Sequence, residues 1–384
     1  MIKTLIGLIL LLLPFLLLNR FKDKTKGFFY ILFWLISLIL SVSIFTQAIH
    51  LFRYPLILLF FIFLDIAILA YYYKKDINLK EFKDNIKKIN IDWVLVFITI
   101  ALIIELGSVH FNYSGKITTI NEPFKEVNNA RLIYPYYSDE WSAVSLTKYS
   151  INSGSLPFAN PLQRNIYFPN YEFGFHTFVS GIFLILDLDP LTNYSILSLF
   201  FGLLICILVY YVLLFNEVEK ITAGISALFV PFIANGVNLP GIWYLLPLTI
   251  GIVCLMLGFI FMAFDDKKTS LLMSFLVLIF YPPLFIFYTL GFFGILIKER
   301  NKVKVKYFLS YLLICIFIVI ILSASLLFKE SYNSLIHSVI SKLFYMTFTS
   351  NAIPDYSIWK VIPIPILLLS FLVLLGTQIL LHFL

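Results

Sequence analysis

Long apolar runs dominate the chain, and polar residues lie in shorter segments between them. Runs such as residues 5–18 and 307–327 show neither the period of an amphipathic helix nor the alternation of a half-buried strand. A transmembrane β-strand would alternate apolar and polar side chains over roughly ten residues. The pattern therefore predicts membrane helices, which satisfy their backbone hydrogen bonds within each segment.

The apolar runs predict an all-α fold, a polytopic transmembrane helix bundle of about eleven spans. Several runs are shorter than the roughly 20 residues that cross a bilayer, so their ends are approximate. The predicted spans are residues 2–19, 27–47, 54–73, 93–109, 191–215, 221–234, 242–264, 270–282, 284–297, 307–328 and 361–384.

Composition agrees with a bilayer environment. Hydrophobic residues make up 61% of the 384 positions and charged residues 13%, whereas soluble domains have about 25% charged residues. The net charge of +7 could indicate nucleic-acid binding, but the basic residues lie in short connectors between apolar runs. We therefore expect a lipid bilayer as partner and no nucleic acid. Five connectors hold most of the 28 lysines and arginines: residues 20–26, 74–91, 216–220, 265–268 and 298–306.

These basic connectors predict the topology. The positive-inside rule places all five in the cytoplasm. Segments 74–91 and 216–220 then need an even number of crossings between them, and the runs 93–109 and 191–215 supply two. The apolar segment 173–188 must therefore not cross, and we predict that it is a juxtamembrane or re-entrant helix on the outer side.

The order of spans and connectors predicts that the chain has three parts. Residues 1–92 form N-terminal membrane helices with a basic cytoplasmic loop. Residues 93–328 form a membrane module with a large outer loop, 110–190, and residues 329–384 form a second outer loop and the last helix. We expect a multi-pass protein of the cytoplasmic (plasma) membrane whose active site faces outside.

Chemistry is most strongly indicated at Asp139 and Glu140 in the large outer loop. A carboxylate there could accept a proton from a hydroxyl as general base, and either could bind a divalent cation that screens a phosphate. A structural interpretation is equally open at this point. Ser138 is a good N-cap residue, and acidic residues in a first helical turn offset the helix dipole.

The order of features in this loop resembles that of the GT-C superfamily of membrane glycosyltransferases, which use polyprenyl-phosphate-linked sugars. The acidic pair follows an early span; an amphipathic stretch, a turn ending at Pro157, the apolar segment 173–188 and a long helix come after it. The resemblance covers roughly residues 93–300. It implies that Asp139 is the catalytic carboxylate and that Glu140 supports it or binds Mg²⁺ or Mn²⁺.

The resemblance also implies the reaction. A sugar would move from a polyprenyl-phosphate donor to a hydroxyl of a lipid, glycan or protein acceptor on the extracytoplasmic side, with inversion at the anomeric carbon. We expect the transferred sugar to belong to a cell-envelope glycan.

Six further residues are candidates for substrate binding. An arginine or histidine side chain could contact the donor phosphate. A glutamate beside an apolar segment is energetically costly to keep there unless it has a function. Aromatic rings could stack on a sugar. The alternatives are a solvated loop charge, a polar group at headgroup level and ordinary interfacial aromatics. The candidates are Arg164, His176, Glu172, Trp243, Tyr244 and Tyr281.

Two rival functions remain open. A transporter or flippase for polyprenyl-linked glycans would need polar residues inside its spans, and Asp65 is nearly the only carboxylate deep in one. A polysaccharide polymerase also has a large outer loop, but such proteins usually rely on arginine-rich outer loops, and Arg131 and Arg164 are the only arginines in this one. An assembly protein without catalytic activity is the third possibility.

Overall fold

The computed structural model describes most of the chain up to residue 298. The described residues are 2–21, 23–73, 92–117, 125–131, 135, 138–161, 166–167, 170, 172–233 and 244–298. They are mostly helical, as predicted. Two of their helices, Lys24–Ala48 and Pro190–Phe215, are long and apolar enough to cross a membrane. The other predicted spans are shorter apolar helices or lie outside the described residues, and the number of crossings stays a prediction.

Eleven α-helices and one 3₁₀ helix form the described part of the chain. They are α1 Ile2–Leu12, the 3₁₀ helix Leu13–Arg20, α2 Lys24–Ala48, α3 Tyr54–Tyr73, α4 Trp93–Phe111, α5 Ser138–Ser153, α6 Phe173–Leu186, α7 Pro190–Phe215, α8 Lys220–Ile233, α9 Pro247–Ala263, α10 Lys267–Phe280 and α11 Pro282–Lys298.

Local sequence explains where several helices begin. The Asp23 carboxylate accepts hydrogen bonds from the backbone N–H groups of Thr25 and Lys26, at 2.9 and 3.1 Å. Asp92 caps α4 and Asp266 caps α10 in the same way. These side chains satisfy N–H groups that a helix leaves without an internal partner.

Two short antiparallel strand pairs lie between α4 and α6. Strand β1, Tyr113–Ile117, pairs with β2, Lys125–Ala130, and β3, Ala159–Asn160, pairs with β4, Ile166–Tyr167. The all-α prediction omitted these strands. They are two to six residues long and contain few apolar residues, so they give little of the apolar alternation on which strand signals in sequence depend.

The chain divides into two compact units. Unit one is Met1–Phe200 with Tyr244–Leu246, and unit two is Phe201–Trp243 with Pro247–Leu384. The predicted boundary at residue 92 adjoins a segment outside the described residues, and the boundary at residue 328 lies in another. The three-part organisation therefore stays a prediction.

Helix α6 forms the core of unit one. It packs against α1, α2, α3 and α5, and 11 of its 14 residues are buried. Polar side chains join it to α2: Thr177 Oγ1 donates to Gln47 Oε1 at 3.1 Å, and Gln47 Nε2 donates to Ser180 Oγ at 2.9 Å. These buried polar groups satisfy one another, which fixes the contact between the two helices.

Helix α6 contacts the N-terminal helices near the beginning of α1 and the end of α2. Its Thr177 and Ser180 meet Gln47 near the end of α2, and Asp187, the residue that follows α6, meets Lys3 at the beginning of α1, with 3.6 Å between Nζ and Oδ2. The start of α1 and the end of α2 lie on the same side, because the two segments are joined by a short turn and pack through the 3₁₀ helix. With 14 residues, α6 is about 21 Å long, less than the roughly 30 Å of a bilayer core.

Unit two contains α8 to α11. Within it, α9, α10 and α11 pack against one another. Tyr288 of α11 is fully buried and its hydroxyl donates to the carbonyl oxygen of Ser270 in α10. Its ring lies against Gly258 of α9, where a side chain would collide with it. Small residues thus let these apolar helices approach closely, as is common in membrane helix packing.

Candidate functional site

The acidic pair lies in the first turn of α5, the amphipathic helix predicted from the sequence. Neighbouring residues of a helix point about 100° apart, and the pair divides between two environments. Asp139 is exposed, whereas Glu140 is 1% exposed. The two carboxylates therefore cannot have the same role.

Glu140 connects three segments of unit one. Its Oε1 accepts a hydrogen bond from the backbone N–H of Leu245 at 3.0 Å and another from the hydroxyl of Ser198 in α7, also at 3.0 Å. Tyr194, one turn earlier in α7, donates its hydroxyl to the carbonyl oxygen of Leu245 at 2.9 Å. Together these bonds fix the beginning of α5 against α7 and the segment Tyr244–Leu246.

This arrangement bears on the predicted metal site. One oxygen of Glu140 already accepts two protein hydrogen bonds, which suits a positioning role better than metal ligation. The described residues contain no group of three or more His, Cys, Asp or Glu that could hold a metal ion. Mg²⁺ or Mn²⁺ at Asp139 and Glu140 stays a prediction.

His176 lies inside α6 rather than at a surface. It is 4% exposed, and its Nδ1 has no hydrogen-bond partner among the described residues. Burial lowers the pKa of His176 to about 3, so its imidazole is neutral at physiological pH. A buried neutral ring offers no positive charge to a donor phosphate, and its position does not support the predicted phosphate contact.

Glu172 is the residue before the first turn of α6, and its side chain is half-buried. Its carboxylate makes no capping hydrogen bond to the helix. Its backbone is fixed instead, because its N–H donates to Asn170 Oδ1 at 3.1 Å and Asn170 Nδ2 donates to the Pro157 carbonyl at 3.0 Å. Substrate binding by Glu172 near the beginning of α6 stays a prediction.

Asp189 links α5 to α7. Its carboxylate accepts hydrogen bonds from the N–H and hydroxyl of Thr192, at 3.3 and 3.4 Å, and so caps α7. Lys148 of α5 forms an ion pair with it at 3.1 Å. Burial alone would raise the pKa of Asp189, but the hydrogen bonds and the positive charge of Lys148 outweigh it and lower the pKa.

The two described aromatic candidates belong to different units. Tyr244 is 8% exposed and lies in the segment that Glu140 holds. Tyr281 belongs to unit two, where it is half-buried between α10 and α11. Arg164 and Trp243 lie outside the described residues. Within unit one the structure thus joins Glu140 to the segment containing Tyr244.

Comparison of the chain with protein-family models, with curated proteins and with solved structures finds no match.

Ser198, Tyr194 and Leu245 are parts of the site that the sequence did not indicate. Ser198 is 58 residues from Glu140 and Leu245 is 105 residues from it. A serine or tyrosine inside an apolar helix gives no local signal of such a partner. A buried carboxylate needs hydrogen-bond donors, so donors are expected near Glu140 only once its burial is known.

Proposed function

We propose that this protein is a membrane glycosyltransferase that moves a sugar from a polyprenyl-phosphate donor to an acceptor hydroxyl on the extracytoplasmic side. The observation that carries the proposal is the different placement of the two neighbouring carboxylates. Glu140 is buried and fixes the start of α5, and Asp139 next to it is exposed. A general base needs this combination of a fixed backbone and an accessible carboxylate.

In the proposed reaction Asp139 accepts the proton of the acceptor hydroxyl. The hydroxyl oxygen attacks the anomeric carbon of the donor sugar, and the bond from that carbon to the phosphate oxygen breaks. The phosphate leaves with the bonding electron pair, and attack from the opposite side inverts the anomeric centre. Glu140 takes no proton in this scheme; its role is to position Asp139.

The proposed location is the plasma membrane, with the site outside. The basic connectors support this orientation. Two contacts in unit one agree with it. With segment 20–26 in the cytoplasm, the beginning of span 2–19 and the connector after span 27–47 are predicted to lie on the outer side, and each contact joins one of them to the loop 110–190. Lys3 pairs with Asp187 at 3.6 Å, and His50 Nδ1 lies 3.1 Å from Ser155 Oγ.

The test is sugar transfer by purified protein from a panel of polyprenyl-phosphate sugars. Replacement of a general base typically costs 10²–10⁴-fold in rate, so Asp139→Asn should lose roughly 100-fold or more. Glu126→Gln is the matched control, because Glu126 is an exposed carboxylate in the same outer loop. Equal transfer by Asp139→Asn and wild type would show that Asp139 is not the base.

A transporter or flippase is the second candidate, and one observation favours it. Asp65 in α3 is 2% exposed, and neither of its carboxylate oxygens has a hydrogen-bond partner among the described residues. Buried ionisable groups in membrane helices often belong to ion or proton pathways. Lipid-flipping by wild-type proteoliposomes that consume no donor, and its loss in Asp65→Asn, would favour this candidate over glycosyl transfer. For the polymerase alternative we find no supporting observation in the described residues.

A further inference from the structure

Asp65 lies midway along α3. The helix has 20 residues, so it is about 30 Å long, and Asp65 is roughly 16 Å along its axis from Tyr54. Phe61 and Ile57, four and eight residues earlier on the same face, are fully buried. Asp65 thus continues an apolar face that points into unit one.

Among the described residues, no charged or titratable side chain compensates Asp65. The elements packed against α3 are α1, the 3₁₀ helix, α2 and α6. Lys3 pairs with Asp187 beside Tyr54, about three helical turns from Asp65. Neither carboxylate oxygen of Asp65 takes part in a hydrogen bond or ion pair within the described residues. The described titratable side chains on the neighbouring elements are Lys3, Lys24, Lys26, Tyr30 and His176.

An ionised carboxylate without a partner is very costly in an apolar interior. The group must therefore be neutralised by a proton, or its oxygens must bind another small cation. The neighbouring 3₁₀ helix contains Pro14, whose nitrogen cannot donate the hydrogen bond that a carbonyl one turn earlier would accept in an α-helix. Carbonyl oxygens at interrupted membrane helices are frequent ligands of Na⁺ and H⁺ sites.

We propose that Asp65 is a binding site for a small monovalent cation, H⁺ or Na⁺, in the interior of unit one. Without Na⁺ the carboxylate holds a proton at neutral pH. At higher pH, or when Na⁺ binds, the proton leaves to solvent and the carboxylate becomes ionised. The site is separate from Asp139 and does not depend on the proposed glycosyl transfer.

Infrared difference spectroscopy of the full chain in lipid nanodiscs can test this directly. The spectrum of wild type minus Asp65→Asn should contain the C=O stretch of a protonated carboxylic acid at neutral pH in sodium-free buffer. Asp65→Glu should keep an acid band at a shifted frequency, which covers the case of a poorly folded Asp65→Asn. Glu219→Gln is the control, because Glu219 is exposed and its replacement should leave the acid band unchanged.

The outcomes separate the two cations. If NaCl removes the acid band at constant pH and choline chloride does not, Na⁺ is the occupant. If only raised pH removes it, the site binds a proton alone. Absence of the acid band in sodium-free buffer at neutral pH would overturn the proposal. A band that responds to neither pH nor Na⁺ would also overturn it, because the acid would then be permanently neutral.

Discussion

Asp139 and Glu140 have the same functional group, and the turn of α5 gives them different surroundings. Glu140 points into unit one, where Leu245 and Ser198 supply the donors that a buried carboxylate needs. Asp139 has solvent access and is exposed for reaction. The buried residue therefore limits the motion of the exposed one, so substitutions at the two positions should have different consequences.

Glu140→Ala should lower the thermal stability of the protein more than Glu140→Gln. In the alanine variant the buried N–H of Leu245 loses its acceptor, which costs on the order of 1–3 kcal/mol. The Ser198 hydroxyl can still donate to the Tyr194 carbonyl, 3.2 Å away. Glutamine keeps a carbonyl oxygen for Leu245. Melting temperatures in detergent would measure this, and equal values for the two variants would contradict the positioning role.

The ion pair between Asp189 and Lys148 predicts a pH dependence. Because the folded pKa of Asp189 is lowered, its charge stabilises the fold above the ordinary pKa of about 3.9, and this contribution disappears as pH falls through the folded pKa. Asp189→Asn keeps a capping side chain and removes the charge.

Melting temperatures of wild type and Asp189→Asn should therefore differ slightly at neutral pH and converge in acid. The pair is about half exposed, with side-chain exposures of 41% and 43%, so we expect no more than about 1 kcal/mol. A difference that stays constant with pH would show that the charge is not the cause.

At the scale of elements, α6 determines how unit one packs. Its close contact with α1 depends on Gly7, since a Cβ at that position would lie 2.8 Å from the carbonyl carbon of Ile185 and 3.1 Å from Leu186 Cα. Both are backbone atoms, which cannot move aside as a flexible side chain could. The absence of a side chain at Gly7 therefore sets the distance between the two helices.

Gly7→Ala should destabilise the protein by about 1–3 kcal/mol, because overpacking forces helices apart. Gly107→Ala in α4 is the control, because the nearest described atom to its Cβ would be Phe111 Cδ2, at 3.9 Å. Alanine there should be neutral or stabilising by up to about 1 kcal/mol. The two melting temperatures, each compared with wild type, test the contact. Similar melting temperatures for both variants would show that α1 and α6 do not approach this closely.

Sequence predicted the helices better than their contacts. The apolar run 173–188 indicated a helix, and α6 occupies Phe173–Leu186. Its burial by four neighbouring elements was not predictable, because an apolar run looks the same whether it faces lipid or protein. The partners of Glu140 were unpredictable for a similar reason, since helical period gives a direction for a side chain and not what lies in that direction.

At the scale of the whole molecule, the sidedness of the outer loop decides whether the proposed chemistry is possible. A flipped polyprenyl-phosphate sugar is available only on the extracytoplasmic side, so Asp139 must face that side. The basic connectors predict this orientation only if α6 does not cross the bilayer. An α6 that crosses would change the side assigned to every segment after it.

Cysteine accessibility tests this topology at positions on both sides of α6. Asn152 and Thr192 are exposed, before and after α6, and Asp265 is exposed in a connector predicted to be cytoplasmic. The native Cys206 and Cys254 are buried and, with Cys315, would be replaced by serine first. A membrane-impermeant maleimide should then label cysteines at positions 152 and 192 on intact cells.

A cysteine at position 265 should be labelled only after permeabilisation. Labelling of positions 152 and 192 from opposite sides would show that α6 crosses the membrane. That outcome would remove the basis for placing the later basic connectors in the cytoplasm. The contact between Glu140 and Leu245 would still hold the start of α5. If both positions are labelled only after permeabilisation, the whole orientation is inverted, and Asp139 could not meet a donor on the outer leaflet. Labelling of both from outside, with position 265 protected, would place Asp139 on the side that the proposed reaction requires.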